Sequence, residues 1–536
     1  MDRSLKPGIE GWMKTRSHVR RLAIAAGLTV WAFSILACSR QYASTLDLTA
    51  TVQAVRGGIG GYSEPTILMP TDGIVEKTEL PTTQAFIPTQ PTPTPTVSAT
   101  AAPPILYTSQ SADTLPALAA RFGVMASEIT SDHELPAWEM INPGQLLVIP
   151  NRVGVTGPSE NIIPDSEVVY SPSALDFDID TFVDDANGYL TTYRQYLDDG
   201  WYTGAQVIQR VATETSINPR LLLALVEYQS GWVYGQPRSL ALTDYPLGYV
   251  SLDRQGLYKQ LTWAVHNLSS GYYAWREGRL QTLLFADGES VRMAPTLNAG
   301  TAAVQTLLAQ LYDVQRWMGA LNGASGFSEL YERMYGNPWL RAQTVEPLFP
   351  PDLTQPELAL PFAANKVWSF TGGPHSAWGP NSSWAALDFA PATTESGCVK
   401  SDAWVTASAA GVVVRSKNGV VVEDLDGDGR EQTGWVLLYL HVATQDRVAV
   451  GTVLEAGDAI GHPSCEGGDA TGTHVHVVRK YNGEWIPADG PLPFILSGWR
   501  AHFGSKEYEG TLTKDNEIVT ASVYGSFETR ISHPVE

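Results

Sequence analysis

Seven of the ten histidines in this 536-residue chain fall after residue 370, and imidazole is the side chain that both binds transition metals and exchanges protons near neutral pH. The strongest local arrangement is His474-Val475-His476. In a strand the side chains at i and i+2 share one face, so His474 and His476 can address one metal environment together. An exposed His-x-His is equally ordinary surface chemistry, and the pair alone decides nothing. Two further runs enlarge the cluster: Thr371-Gly372-Gly373-Pro374-His375 ahead of Ala385-Ala386-Leu387-Asp388-Phe389, and Leu438-Tyr439-Leu440-His441. A separate acidic run, Asp424-Leu425-Asp426-Gly427-Asp428-Gly429, has the alternate carboxylates of a calcium loop. Its twelfth position is Trp435 instead of Glu, which favours a polar hairpin turn.

These residues need strands to hold them. Trp404-Val405-Thr406-Ala407, Gly411-Val412-Val413-Val414, Val420-Val421-Val422, residues 435–440 and residues 473–478 are β-rich runs separated by Gly and Asp turns. They predict a predominantly antiparallel β domain over residues 360–505, with residues 506–536 left as a C-terminal tail. Pro350, Pro351 and Pro356 mark a linker before it. Residues 165–345 read as predominantly α-helical and rich in Trp and Tyr, with one clear start at Asn218-Pro219, an N-cap followed by proline in the first turn. Residues 105–151 read as strand, helix, helix, strand, with Asp113-Thr114-Leu115 opening the first helix and Pro143-Gly144 a turn. Residues 39–104 are a low-complexity linker peaking at Pro88-Thr89-Gln90-Pro91-Thr92-Pro93-Thr94-Pro95. Such sequences favour polyproline II, which extends about 3.1 Å per residue. In residues 1–38, Arg16, Arg20 and Arg21 precede an uncharged run from Leu22 to Ala37 that stops at Cys38, the layout of a targeting segment. The length and the 43% hydrophobic content predict several domains. A net charge of -21 argues against nucleic acid as a partner.

Ile35-Leu36-Ala37-Cys38 resembles a bacterial lipobox. That implies lipidation at Cys38 and an exported protein held by a lipid anchor at the outer face of the cell membrane; a plain signal peptide or an uncleaved anchor is the alternative. With Cys38 so used, Cys398 and Cys465 remain as a pair in an oxidising compartment, where a disulfide is expected, two free buried thiols being the alternative. Residues 105–151 resemble a lysin motif (LysM), matching at Tyr107, Asp113, Thr114, Leu115, Leu118, Phe122, Gly123 and Asn142-Pro143-Gly144-Gln145-Leu146-Leu147-Val148-Ile149-Pro150, and departing at Ala112 and His133. The resemblance implies binding to N-acetylglucosamine-containing glycan strands. Asn218-Pro219 through Gln229-Ser230-Gly231-Trp232 looks like the helix of lysozyme-like transglycosylases that ends in Glu-Ser-Gly. Gln229 stands at the Glu position, and an amide cannot donate a proton at neutral pH, so the middle domain reads as a scaffold or glycan-binding domain, with active glycan cleavage as the alternative.

From about Leu360 to Gly504 the chain resembles the β-lytic and staphylolysin branch of the lysostaphin-type zinc endopeptidases, on Gly-Gly-Pro-His375, the long spacing to Leu-Asp388-Phe, Leu-His441 and His474-Val-His476. The lysostaphin branch has its first ligand four residues before the Asp, which here is Trp384. The resemblance implies a β metallopeptidase domain of the duplicated hybrid motif type, with His375, Asp388 and His476 as zinc ligands and His441 and His474 as catalytic groups. Three protein ligands leave a fourth position for water, whose pKa falls to about 7 on zinc. The implied function is a cell-wall-associated endopeptidase that cuts peptide bonds in peptidoglycan and is targeted by the LysM module. The alternative is an inactive wall-binding regulator that recruits or activates another hydrolase.

Overall fold

The computed structural model describes residues 102–393 and 395–533. The expected targeting segment, Cys38 and the linker as far as residue 101 lie outside the described residues. In the small module, Thr114 caps the helix Leu115–Phe122 by accepting from the Ala117 amide, and Gly123 ends it in a left-handed conformation. Strand Leu146–Ile149 pairs with Ile105–Thr108 on one side and Thr130–Ser131 on the other. The expected second helix is not formed. The chain makes one 3-10 turn, Ala126–Glu128, and then extends, because the β-branched pair Ile129-Thr130 favours strand geometry and Pro136 removes a backbone donor. Ala112 has φ +60°, the left-handed region that glycine enters without a steric cost.

The middle segment is helical, as its patterning predicts, with two short hairpins, Arg194–Leu197 with Gly200–Thr203 and Thr282–Leu284 with Ser290–Arg292. Its centre is the helix Pro219–Ser230, capped by Asn218 and closed by left-handed Gly231. Every residue from Pro219 to Val226 is buried, the signature of a helix enclosed on all sides. The 20-residue helix Leu257–Arg276 runs beside Ala299–Ala309.

The β domain is built on a nine-stranded antiparallel sheet. Its order is Val453–Leu454, Gly411–Lys417, Val420–Asp424, Trp435–Leu440, Val475–Tyr481, Ala386–Pro391, Val367–His375 and Arg530–Ser532, with Glu484–Trp485 pairing back on Val475–Tyr481. Alternation gives the sheet two different faces. Val421, Leu437, Tyr439, Val477, Leu387 and Phe389 fill the domain's own core, while Val420, Val422, Val436, Leu438, Val478 and Ala386 join the core of the helical segment. The helical segment is therefore the second layer of this sheet. Residues 506–536, expected as a tail, are instead part of the domain through residue 533. Gly510–Lys514 and Glu517–Thr520 extend a second sheet with Ile495–Leu496 and Trp499–Phe503, and Arg530–Ser532 closes an edge of the main sheet. The run Thr511 to Thr520 alternates about an Asp515-Asn516 turn, a hairpin pattern that its terminal position disguises.

One hairpin locks the layers together. Gly483 sits where a Cβ would lie 2.1 Å from the Tyr170 carbonyl oxygen, so only glycine allows this approach. Beyond it, Trp485 is buried with its indole N–H on the Thr215 carbonyl at 3.3 Å. Glu484 accepts from Tyr272 Oη at 2.7 Å and from Arg276 Nη2 at 3.1 Å. Arg276 also meets Asp165 at 2.9 Å and donates to the carbonyl of Ser111 in the small module. Burial works against its charge, yet Glu484, Tyr272 and Asp165 hold its pKa well above the ordinary arginine value. Removing one partner of a buried ion group leaves the others uncompensated, at a cost of about 3–5 kcal/mol. Arg276→Ala is therefore expected to destabilise the whole chain by about that amount. A denaturant titration should show it, and an unchanged midpoint would refute the role given to this guanidinium.

Candidate metal centre

Strand register assembles the site. His476 lies directly opposite Asp388 across the pair Val475–Tyr481 and Ala386–Pro391. On the other side of Asp388, the strand Val367–His375 carries register shifts between Phe370 and Gly372 and between Gly372 and His375. Those bulges re-aim the strand end so that His375, opposite Ala386, turns toward Asp388. Gly372 is the residue opposite Asp388, and a Cβ there would sit 2.4 Å from Asp388 Oδ2. The glycine ahead of His375 thus provides room for the carboxylate.

His375, Asp388 and His476 are all buried and offer one ligand atom each within 4.8 Å of one another. Asp388 Oδ1 stands 3.3 Å from His375 Nε2 and 3.3 Å from His476 Nδ1, and those two nitrogens are 3.0 Å apart. The outward nitrogens are already engaged: His375 Nδ1 with the Gly373 carbonyl at 2.8 Å and His476 Nε2 with the Ala377 carbonyl at 3.2 Å. A carbonyl can only accept, so each outward nitrogen carries the proton and each inward nitrogen of a neutral ring presents a lone pair. Two lone pairs and a carboxylate oxygen therefore face one another with no hydrogen between them. Asp388 Oδ1 is accordingly buried without a hydrogen-bond partner. A cation is what satisfies this arrangement, and two imidazoles with one carboxylate fit zinc. The electrostatics respond in kind: burial opposes ionisation of Asp388, but His375 and His474 hold its pKa well below the carboxylate range. Burial also works against a charged His375, but Asp388 raises its pKa, while burial lowers that of His476.

Two more imidazoles line the same place. His474 turns Nε2 toward Asp388 Oδ1 at 3.7 Å and gives Nδ1 to the Gly472 carbonyl at 2.7 Å. His441 bonds the Glu466 carbonyl through Nδ1 at 2.9 Å, and its ring centre is 4.5 Å from that of His474. Burial, reinforced by the neighbouring histidines, pushes the His441 pKa down to about 4. Its backbone is left-handed at φ +66°, the strain that often marks working residues. Cys398 and Cys465 are joined as a disulfide. Cys465 precedes Glu466, the anchor of His441, and Cys398 follows Gly397, whose carbonyl accepts from the Thr473 amide beside His474. The cross-link thus ties together the loops behind both rings.

All five expected residues come together. Two others carry no local signal in the sequence. Tyr508 stacks on the His375 ring at 4.2 Å, and Glu507 accepts from the Ser376 amide at 3.1 Å and from its hydroxyl. Both lie in the segment expected as a tail. His462, His502 and His533 stay outside the cluster: His462 bonds the Ala403 carbonyl, His502 the Thr513 hydroxyl and His533 the Phe362 carbonyl. Asp424, Asp426 and Asp428 also converge, but their oxygens accept from the amides of Asp426, Asp428, Gly429 and Arg430, as a polar turn requires. In the helical segment Gln229 accepts from Tyr312 Oη at 2.9 Å, and Glu227 caps the Val233 and Tyr234 amides. Gly372→Ala is expected to displace Asp388 and weaken metal binding about 10- to 100-fold, the usual penalty for disturbing the support of a ligand. Competition with a chromophoric chelator measures this, and wild-type affinity would contradict the close approach.

Residues 161–348 match the family described as LasA, N-terminal domain. The protein named Protease LasA from Pseudomonas aeruginosa is 28% identical over 314 residues, covering 55% of this chain and 69% of the relative. Beta-lytic metalloendopeptidase from Lysobacter enzymogenes is 28% identical over 154 residues, covering 28% of this chain and 83% of the relative. Among solved structures, the M23 metalloprotease pseudoalterin matches with a TM-score of 0.26 at 22% identity, over 32% of this chain and 96% of its own. The chain is thus similar to Protease LasA and to beta-lytic metalloendopeptidase, and residues 161–348 match the LasA N-terminal domain family.

Proposed function

We propose that this chain is an exported, cell-wall-associated zinc endopeptidase that hydrolyses peptide bonds in peptidoglycan. The observation that carries the reading is the convergence of two imidazole lone pairs and one carboxylate oxygen, 3.0–3.3 Å apart, at a buried point with no proton to hold them. His375, Asp388 and His476 are the ligands in this reading, and His441 and His474 the catalytic groups. Zinc bound there supplies Lewis acidity, which polarises a carbonyl and lowers the pKa of water to about 7. The protein's own contribution is placement. His441 and His474 each keep one nitrogen on a backbone carbonyl and leave the other toward the site. Such rings can take a proton from water, steady a developing oxyanion and pass a proton to the leaving amine. Tyr508, on the face of His375, fixes the orientation of that ring. The names protease and metalloendopeptidase among the relatives support the same class of chemistry.

The remaining parts fit a wall enzyme: a lipid anchor at Cys38, a proline-rich tether and a LysM module that holds glycan strands. If Cys38 is acylated, Cys38→Ser moves the protein from the membrane fraction to the soluble exported fraction, since acyl chains are what anchor it. Unchanged fractionation would count against lipidation. The site itself is tested by separating two kinds of failure. His375→Ala, Asp388→Ala and His476→Ala should lose zinc and hydrolysis of purified peptidoglycan together. His441→Ala and His474→Ala should keep about one zinc per chain and lose on the order of a hundredfold in rate. Mass analysis of the new amine and acyl ends identifies the bond cut. Zinc binding without any new ends in the unaltered chain would leave the inactive regulator as the better reading.

A further inference from the structure

The turn that delivers His375 orients two of the three ligands. His375 itself faces Asp388, the Gly373 carbonyl accepts from His375 Nδ1 at 2.8 Å, and the Ala377 carbonyl accepts from His476 Nε2 at 3.2 Å. The sheet alone holds this stretch loosely. The strand Val367–His375 pairs with Arg530–Ser532 at residues 367–369, and toward Ala386–Pro391 its register shifts twice before His375. A bulge leaves residues without a ladder partner, so the strand end needs another support.

A loop near the end of the chain supplies it. Gly373 N donates to the Tyr508 carbonyl at 2.9 Å, and Tyr508 N donates to the Pro374 carbonyl at 3.3 Å. A Cβ on Gly373 would stand 2.5 Å from the Glu509 carbonyl oxygen, so the loop lies flush against the strand. Beyond this bridge, Glu507 Oε1 accepts from Ser376 N at 3.1 Å and from the Ser376 hydroxyl. Ser376 lies between His375 and Ala377. Because each peptide unit is planar, turning the Ser376 amide moves the His375 backbone on one side and shifts the Ala377 carbonyl on the other. Ala377 N is given to the Ser383 carbonyl at 2.8 Å, which fixes the far end of the turn and leaves Ser376 as its near end. The acceptor there is a carboxylate, and a hydrogen bond to a charged group is about twice as strong as one between neutral groups. Lys506 turns to Glu509 at 3.3 Å and leaves Glu507 to Ser376.

We propose that Glu507 is a positioning residue of the metal centre: through Ser376 it holds His375, and by way of the Ala377 carbonyl it holds His476, so that the two inward nitrogens keep their spacing. The inference rests on the zinc reading above for the identity of the ion. Competition with a chromophoric chelator on the full chain is expected to show zinc held about 10- to 100-fold more weakly by Glu507→Ala. Glu507→Gln keeps a carbonyl oxygen for the Ser376 donors and should recover most of that loss. Glu507 is half-buried on a surface loop, so the unfolding midpoint of the metal-free chain should stay at the wild-type value in both variants. A residue that merely supports the fold would lower that midpoint and leave zinc affinity unchanged, and this result overturns the proposal. So does a Glu507→Gln variant as weak as Glu507→Ala. An unaltered chain that binds no zinc overturns the proposal and the metal centre together. Zinc affinity that depends on Glu507, in a chain that releases no new ends from peptidoglycan, upholds the positioning role and overturns the endopeptidase reading instead.

Discussion

Arg276 is one guanidinium with bonds into three regions: the Ser111 carbonyl in the small module, Asp165 at the start of the helical segment and Glu484 in the β domain. A charge with no solvent around it is costly unless each donor finds an acceptor, so these three contacts fix one another. The arrangement makes the helical segment a structural layer. It covers the face of the main sheet that carries Val420, Val422, Val436, Leu438 and Val478, and Asp388 and His476 project from that same face. The metal centre therefore depends on packing that begins at Ile162, more than 200 residues earlier in the chain.

At the centre itself the governing constraint is donor accounting. Gly373, Ala377, Gly472 and Glu466 each supply a carbonyl to one ring nitrogen, so every imidazole is oriented from behind and leaves its other nitrogen inward. Packing that placed the same rings without those carbonyls would leave tautomer and rotation undecided.

Much of the centre was legible in the sequence because its signals are local. His474 and His476 are two apart on a strand, while His375, Asp388 and His441 were named through the resemblance carried by Gly-Gly-Pro-His, Leu-Asp-Phe and Leu-His. The disulfide followed from compartment and cysteine count. Tyr508 and Glu507 were not legible, since nothing in their own segment shows that Gly373 and Tyr508 bridge across strands. The expected tail failed for the same reason: Arg530–Ser532 earns its strand only by pairing with Val367–Ser369, a contact more than 150 residues away in sequence. The second helix of the small module failed locally, where a β-branched pair and a proline outweighed the pattern.

The hairpin at Gly483 and the buried charges behind it leave no hinge between the layers they join. In the reading proposed above, a glycan strand held by the small module and a bond offered to the imidazoles would consequently stand at a distance written into the fold. Such a body works as a ruler: where it grips determines where it acts, and changing that offset requires rebuilding the shared core instead of lengthening a loop.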